Sequence, residues 1–361
     1  MTFISTFKEK NLYLEASYWL MWLLPNKGFL LGGFFDVVSS GMIMMALPWL
    51  MLQQAGSGTL VALVALLCTL ASFIATPIFA TLIDRHSRKA ILQWVQLLQA
   101  MTALILCLLS QAGDISLFWM SLAQLLFWVR NDLGWNASNA LVQENFDAHE
   151  YPKVSSYKEV IGQAVLISAG AAGIVLLELW DLATFALFAA VASGLGWLCY
   201  STMPYRRRLR KVANDRFFSQ LLASKQIVQK DGRLMVFFAL SCLSYPAITY
   251  LIKLVPIYLM EFGYAGHWFA LWKTVQGSGA LVCGMVGRFK ETTLMIYATF
   301  TIASLLAIMG IFLSPVVLVA TTLIFGFCTT LNRIARINVM NLTVDVDERG
   351  RVDGALVLFS T

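Results

Sequence analysis

Charge is scarce in this chain. Only 13% of its 361 residues are Asp, Glu, Lys or Arg, while 59% are hydrophobic, and the mean hydropathy is +0.72. A soluble domain carries about 25% charged and about 45–50% apolar residues, so no soluble core accounts for this composition. Paired cysteines are absent as well. The six cysteines (68, 107, 199, 242, 283, 328) each stand alone in an apolar run, which excludes a disulfide framework and a CxxC zinc site. Histidine is limited to positions 86, 149 and 267, far apart in sequence, and no metal site is expected. There is no HExxH, GxSxG, paired-Asp or nucleotide-binding loop, so an enzyme is not expected. No small-residue cleavage site follows the apolar piece Ala16–Leu24, and Pro25, Asn26 and Lys27 come next.

What the chain does contain is a succession of long apolar runs. A membrane span needs roughly 20 consecutive apolar residues, and only helices or closed barrels satisfy their backbone in lipid. The runs are rich in Leu, Ala and Met and do not alternate, which predicts helices. Ten full spans are expected, roughly 28–52, 58–80, 90–111, 115–140, 156–177, 180–202, 234–259, 267–287, 292–313 and 315–338. Before them, residues 1–27 combine Lys8 and Lys10 with a Trp- and Tyr-rich piece too short to span, the pattern of an interfacial helix.

The basic residues alternate from loop to loop. All but three of the 26 fall at one side, in 1–27, 85–89, 153–158, 206–233, 288–290, 333–336 and 349–351. The intervening turns (53–57, 113–116, 178–181, 261–267 and near 314) hold none. The positive-inside rule makes the basic side cytoplasmic, with the N-terminus inside, in a multi-pass protein of the cell inner (plasma) membrane. The longest polar stretch, 203–233, begins with the Tyr205–Lys211 cluster and continues with Phe217, Phe218, Leu221, Leu222 and Val228 at helical spacing. It reads as a basic cytoplasmic linker lying on the inner leaflet. It separates an N-terminal six-helix bundle, 28–202, from an incomplete C-terminal bundle, 234–361. Pro77–Leu92 has a weak counterpart in Cys283–Lys290, as parallel repeats would produce. After Gly354 only seven residues of an eleventh span remain, reaching about 10 Å along a helix against a hydrocarbon core of about 30 Å.

The charged hinge Thr81–Leu92 resembles the loop signature of the major facilitator superfamily, Gly-x-Leu-Ala-Asp-Arg-x-Gly-Arg-Arg/Lys-x-x-Leu. Leu82, Asp84, Arg85, Arg88, Lys89 and Leu92 match it, and Ala80 and Ser87 replace the two glycines. Residues 126–138 are similar to the superfamily's proton-antiporter motif at Leu126, Arg130, Gly134 and Ala137, but not at Leu133, Asn136 or Ser138. The antiporter motif of the fifth helix is only faintly present, as Gly162, Gly170 and Gly173 without its proline. Ala46–Leu50, Gly56–Ser57 and Asp347–Val352 resemble the macrolide-efflux and siderophore-exporter branch. The resemblance implies an all-α polytopic fold of two pseudo-repeat bundles, in which Asp84, Arg85, Arg88 and Lys89 form a gating loop.

Arg130 lies near mid-bilayer, where a central arginine costs about 2.5–3.5 kcal/mol, so it should face a cavity and a partner. Asp132, two residues on, points elsewhere on the helix, whereas Asp36 in the first span is a fitting partner able to load and release a proton. Their alternative role is a structural pair joining two helices. Lys253 and Lys273 either snorkel to the interface or join Arg130 in a cationic cavity. Trp128, Trp135, Trp268 and Trp272 lie near the charged positions, either as walls for an amphipathic substrate or as an interfacial belt. Gly32, Gly33, Gly277, Ser278, Gly279 and Gly284 read as packing surfaces. Asn139, Gln143 and the acidic run Glu144–Glu150 read as a solvated loop.

Together these readings predict a monomeric secondary transporter that exports a small amphipathic or anionic organic molecule by alternating access, with protons as coupling ion. Trp128 and Trp272 join the charged residues in the expected pathway. Neither a cofactor nor a nucleic-acid partner is expected. The competing expectation is a non-transporting membrane scaffold or sensor derived from a shortened transporter. Orientation is directly testable. An epitope inserted after Arg207 should bind antibody only once cells are permeabilised, and one inserted at Gly113 should bind in intact cells; the reverse pattern would overturn the topology.

Overall fold

The computed structural model describes residues 27–44, 46–48, 58–113, 115–205, 267–286 and 292–344, together with isolated positions (50, 51, 54, 352 and some between 236 and 264). The expected N-terminal interfacial segment, most of the 203–233 linker, Lys253 and the start of the eleventh span lie outside the described residues.

Among the described residues the regular structure is entirely helical. The first half comprises α1 (Lys27–Pro48), α2 (Gly58–Arg85), α3 (Arg88–Gln111), α4 (Leu117–Asn145), α5 (Tyr151–Leu179) and α6 (Leu182–Thr202). The second half comprises α7 (His267–Val286), α8 (Thr292–Ile311) and α9 (Pro315–Thr343). Ten isolated positions from Val236 to Leu259 are helical too, within the expected seventh span. Among the described residues six helices (α1, α2, α3, α6, α8 and α9) are long and apolar enough to cross a membrane by length and composition; the ten expected spans extend over residues outside that set. The 29-residue helices α4 and α5 are long enough, at about 1.5 Å per residue, but they carry the charged and amide side chains discussed below.

Local chemistry sets the helix ends. Ser87, in place of a motif glycine, is the N-cap of α3, its hydroxyl accepting from the Ala90 N–H. Asp181 caps α6, accepting from the Thr184 hydroxyl and N–H, and these two bonds hold its carboxyl below the usual carboxylate range. Gly113 follows α3 with φ 76°, a left-handed conformation that closes the turn.

Packing follows the inverse of a soluble protein. Leu66, Ile74, Trp94, Met101, Leu108 and Phe300 point outward, as lipid-facing positions do. Three apolar cores lie inside. One joins Ile43, Leu47, Leu106, Phe127 and Phe185; a second, at the end bearing the Arg85–Lys89 hinge, joins Phe29, Leu92, Leu141, Val154 and Tyr200; the third fills the second half around Trp272 and Phe325. Helix α3 packs on α4 and α6, and α9 packs on α7 and α8. The halves meet where α5 lies against α7 and α9, and where α4 approaches α9.

Small residues allow the closest crossings, as the stretch Gly277–Gly279 predicts. A Cβ at Gly279 of α7 would collide with the Leu323 carbonyl of α9, and one at Gly326 would meet the Gln276 carbonyl in return. Gly277 and Gly284 face Ile167 and Val160 of α5 in the same way. Backbone cannot yield as a flexible side chain can. Gly279→Val should therefore cost about 1–3 kcal/mol, lowering the melting temperature in detergent. Gly310→Ala, where a Cβ meets open space, should not.

Candidate functional site

Three polar centres interrupt the apolar interior. The first lies within the first half. Arg130, 3% exposed, donates from Nη1 to Asp36 Oδ1 at 2.6 Å, tying α4 to α1. Gly134 borders the pair: a Cβ there would press on Val95 Cγ1 at 3.2 Å and make ordinary contact, at 3.9 Å, with Arg130 Nη1 and Asp36 Oδ2. The buried Nε and Nη2 of Arg130 have no hydrogen-bond partner. A polar seam continues through the half beside the pair. The Ser40 hydroxyl donates to the Asp36 carbonyl, and Gln99 of α3 donates to Ser39, which lies 2.8 Å from Ser193 of α6.

The second centre lies between the halves. Arg333 of α9 donates from Nη2 to Glu159 Oε1 of α5 at 2.5 Å, and Gln163 donates to the same oxygen at 2.8 Å. Trp135 of α4 receives two cations, Lys158 Nζ at 5.3 Å and Arg333 Cζ at 5.9 Å from its ring centroid. Lys158 also donates to Asn139 Oδ1 at 2.7 Å. Across the interface Lys273 donates to Gln276 at 3.1 Å, within electrostatic reach of Arg333.

The third centre closes the basic end. Arg88, fully buried, donates to the Ala140 carbonyl at 2.6 Å, with its Nε 3.8 Å from Glu144. Lys89 donates to the Ser201 and Met203 carbonyls, fastening α3 to α6. One turn along α4, Gln143 reaches into the second half and donates to the Asn341 and Val344 carbonyls. Arg88 thus braces the end of α4 that touches α9.

The structure brings Asp36 and Arg130 together. Asp132 lies apart and faces Ser72 of α2. Trp128 is half-buried, whereas Trp272 is fully enclosed in the core of the second half. In the hinge, Asp84 is partly buried and Arg85 exposed, while Arg88 and Lys89 are bound into the first half. One expectation needs correction. Asn139, Gln143 and Glu144 are buried residues of α4, which runs to Asn145, instead of solvated loop residues. Arg333 and Arg336, counted with the basic side, lie in α9, within the expected span 315–338. Lys158 lies in α5, within the expected span 156–177. Glu159 and Arg333 escaped notice because each lies near the end of an expected span, where charge is ordinary. Their signal was an acid and an arginine inside apolar runs without an oppositely charged i,i+4 neighbour.

Helices from two halves, closing around buried charge at their interface, define a polytopic membrane transporter fold. The sequence matches the family profile of the Major Facilitator Superfamily over residues 29–361, and the chain belongs to that superfamily. Solved structures agree on the fold. A bacterial homologue of the iron transporter ferroportin, in an outward-facing state with soaked iron, is 17% identical with TM-score 0.68, covering 93% of this chain and 88% of that one. The human organic anion transporter MFSD10 (TETRAN) is 13% identical with TM-score 0.73, covering 93% and 89%. The proton:xylose symporter XylE is 14% identical with TM-score 0.68, covering 94% and 84%. No curated protein matches by sequence.

Removing one member of the Arg130–Asp36 pair leaves the other charge stranded. Arg130→Ala should destabilise the protein by about 3 kcal/mol, and adding Asp36→Ala should recover part of that loss. Thermal unfolding of the three variants measures both effects; a double variant worse than Arg130→Ala would contradict the pairing.

Proposed function

We propose that this protein is a secondary active transporter of the inner membrane that exports a small organic anion by alternating access, driven by protons. The observation that carries the reading is the charge balance of the interior. Among the described residues Arg130, Lys158, Lys273 and Arg333 bring four cations to the two central clusters, where Asp36 pairs with Arg130 and Glu159 with Arg333. In a low-dielectric interior such an excess favours an anionic occupant over a cation.

The wider reading is the ten-span bundle with its basic side and N-terminus in the cytoplasm. The Gln143 contacts to α9 then close the cytoplasmic end, and the site opens outward when the halves rock about the α5–α7 and α5–α9 contacts. Asp36 is the proton carrier. Substrate and proton use the site in turn: the carboxylate is ionised while the loaded site turns outward, and after substrate release a proton taken up outside neutralises it for the empty return and is given up inside. The loop Asp84–Lys89 holds the cytoplasmic end of α4 in its closed position. A siderophore-like or drug-like carboxylate fits this cavity better than a basic macrolide does.

Proteoliposomes containing the full chain and loaded with carboxyfluorescein provide the test. A pH gradient should drive dye flux, Arg130→Ala should reduce it at least about tenfold, roughly the loss of one charge-assisted contact, and Asp36→Asn should leave exchange without gradient dependence. Flux indifferent to the gradient, or unchanged in Arg130→Ala, would overturn the proposal.

A further inference from the structure

The Glu159–Arg333 pair differs in kind from Asp36–Arg130. Asp36 and Arg130 belong to one half, so their contact survives any rigid movement of the halves. Glu159 and Arg333 belong to opposite halves. The Glu159 side chain is 5% exposed and that of Arg333 is 21% exposed, so the arginine is the more accessible partner. Nη2 of Arg333 is engaged by Glu159 and Thr330, while its buried Nε has no hydrogen-bond partner among the described residues. A guanidinium binds a carboxylate through two parallel N–H donors, and here one side of that fork is unfilled.

Other cations lie close by. Lys158 and Arg333 both lie against the Trp135 ring, and Lys273 lies within electrostatic reach of Arg333. Glu159 is the acid bonded to Arg333, and Gln163 orients it through the shared oxygen. Trp135 offers a partly exposed apolar face beside the charges. A ligand matching this arrangement has one carboxylate joined to a flat apolar body.

We infer that Glu159 is a built-in stand-in for the substrate's carboxylate, and that an organic anion binds by displacing it from Arg333 beside Trp135. The inference rests on the export reading above and adds Arg333 to Arg130 as a cation that holds that anion. The internal carboxylate competes with the external one, so apparent affinity is lowered by the fraction of time Arg333 is occupied. It also links binding to movement, because the displaced contact is one that joins the halves.

Equilibrium binding to the full chain in nanodiscs, without any gradient, tests the inference. Carboxyfluorescein anisotropy is the readout, with cationic rhodamine 6G as the contrasting probe. Glu159→Gln removes the competitor's charge and keeps its shape, and should tighten carboxyfluorescein binding on the order of tenfold while leaving rhodamine 6G unimproved. Arg333→Gln should abolish carboxyfluorescein binding, and Arg333→Lys, which keeps the charge without the fork, should weaken it. A purely structural ion pair predicts lower melting temperature for Glu159→Gln with no gain in affinity. That result, or failure of both wild type and Glu159→Gln to bind the dye, overturns the inference. Binding as expected in a protein whose flux ignores the pH gradient would sink the proton-coupled export reading alone. Gradient-driven flux without the Glu159→Gln gain would sink only the displacement.

Discussion

A charge that cannot reach water must be met by another group, and the interior of this bundle is arranged around that constraint. The penalty for burying a lone ion is several kcal/mol, and breaking a buried pair strands its remaining member. Arg130 meets Asp36 within one half, Arg88 is held by α4 at the basic end, and Arg333 meets Glu159 between halves. Each placement fixes a helix relative to its neighbour. The first two stiffen the N-terminal half, and the third ties its fate to the other half.

Packing and electrostatics divide the work. Helices α7 and α9 approach closely through Gly279 and Gly326, and α5 meets α7 at Gly277 and Gly284. Lipid offers no hydrophobic drive for helices to associate, so close van der Waals contact and polar bonds must hold them. The polar residues concentrate on the helices that line the centre. Helix α4 buries Gln124, Arg130, Asn136, Asn139, Gln143 and Glu144, and α9 buries Asn332, Arg336, Asn338 and Asn341. This polarity also explains why α4 falls below the hydropathy of a simple span although it is long enough to be one.

Much of the architecture was legible in the residues. The apolar runs located α2, α3, α6, α7, α8 and α9 to within a few residues, because burial in lipid demands a continuous apolar stretch of known length. Arg130 was legible as a site because a mid-run arginine is costly, and Asp36 because few acids lie at a matching depth. Ser87 looked like a lost glycine of the hinge, yet its hydroxyl caps α3. The Glu144 region looked like solvent-exposed loop because its acids cluster beyond an apolar run. Burial of Glu144 against Arg88 depends on a residue 56 positions away, which no local pattern reports.

Composition and order of residues by themselves determined that this is a helical membrane protein, which runs form its helices and that Arg130 needs an acidic partner, because these follow from hydrocarbon thickness and the cost of isolated charge. Only the tertiary structure decided which acids and cations meet. Glu159 and Arg333 stand 174 positions apart, and their contact exists because α5 and α9 are packed across the two halves. Ion pairing depends on distances of a few ångströms, and those are set by how helices cross.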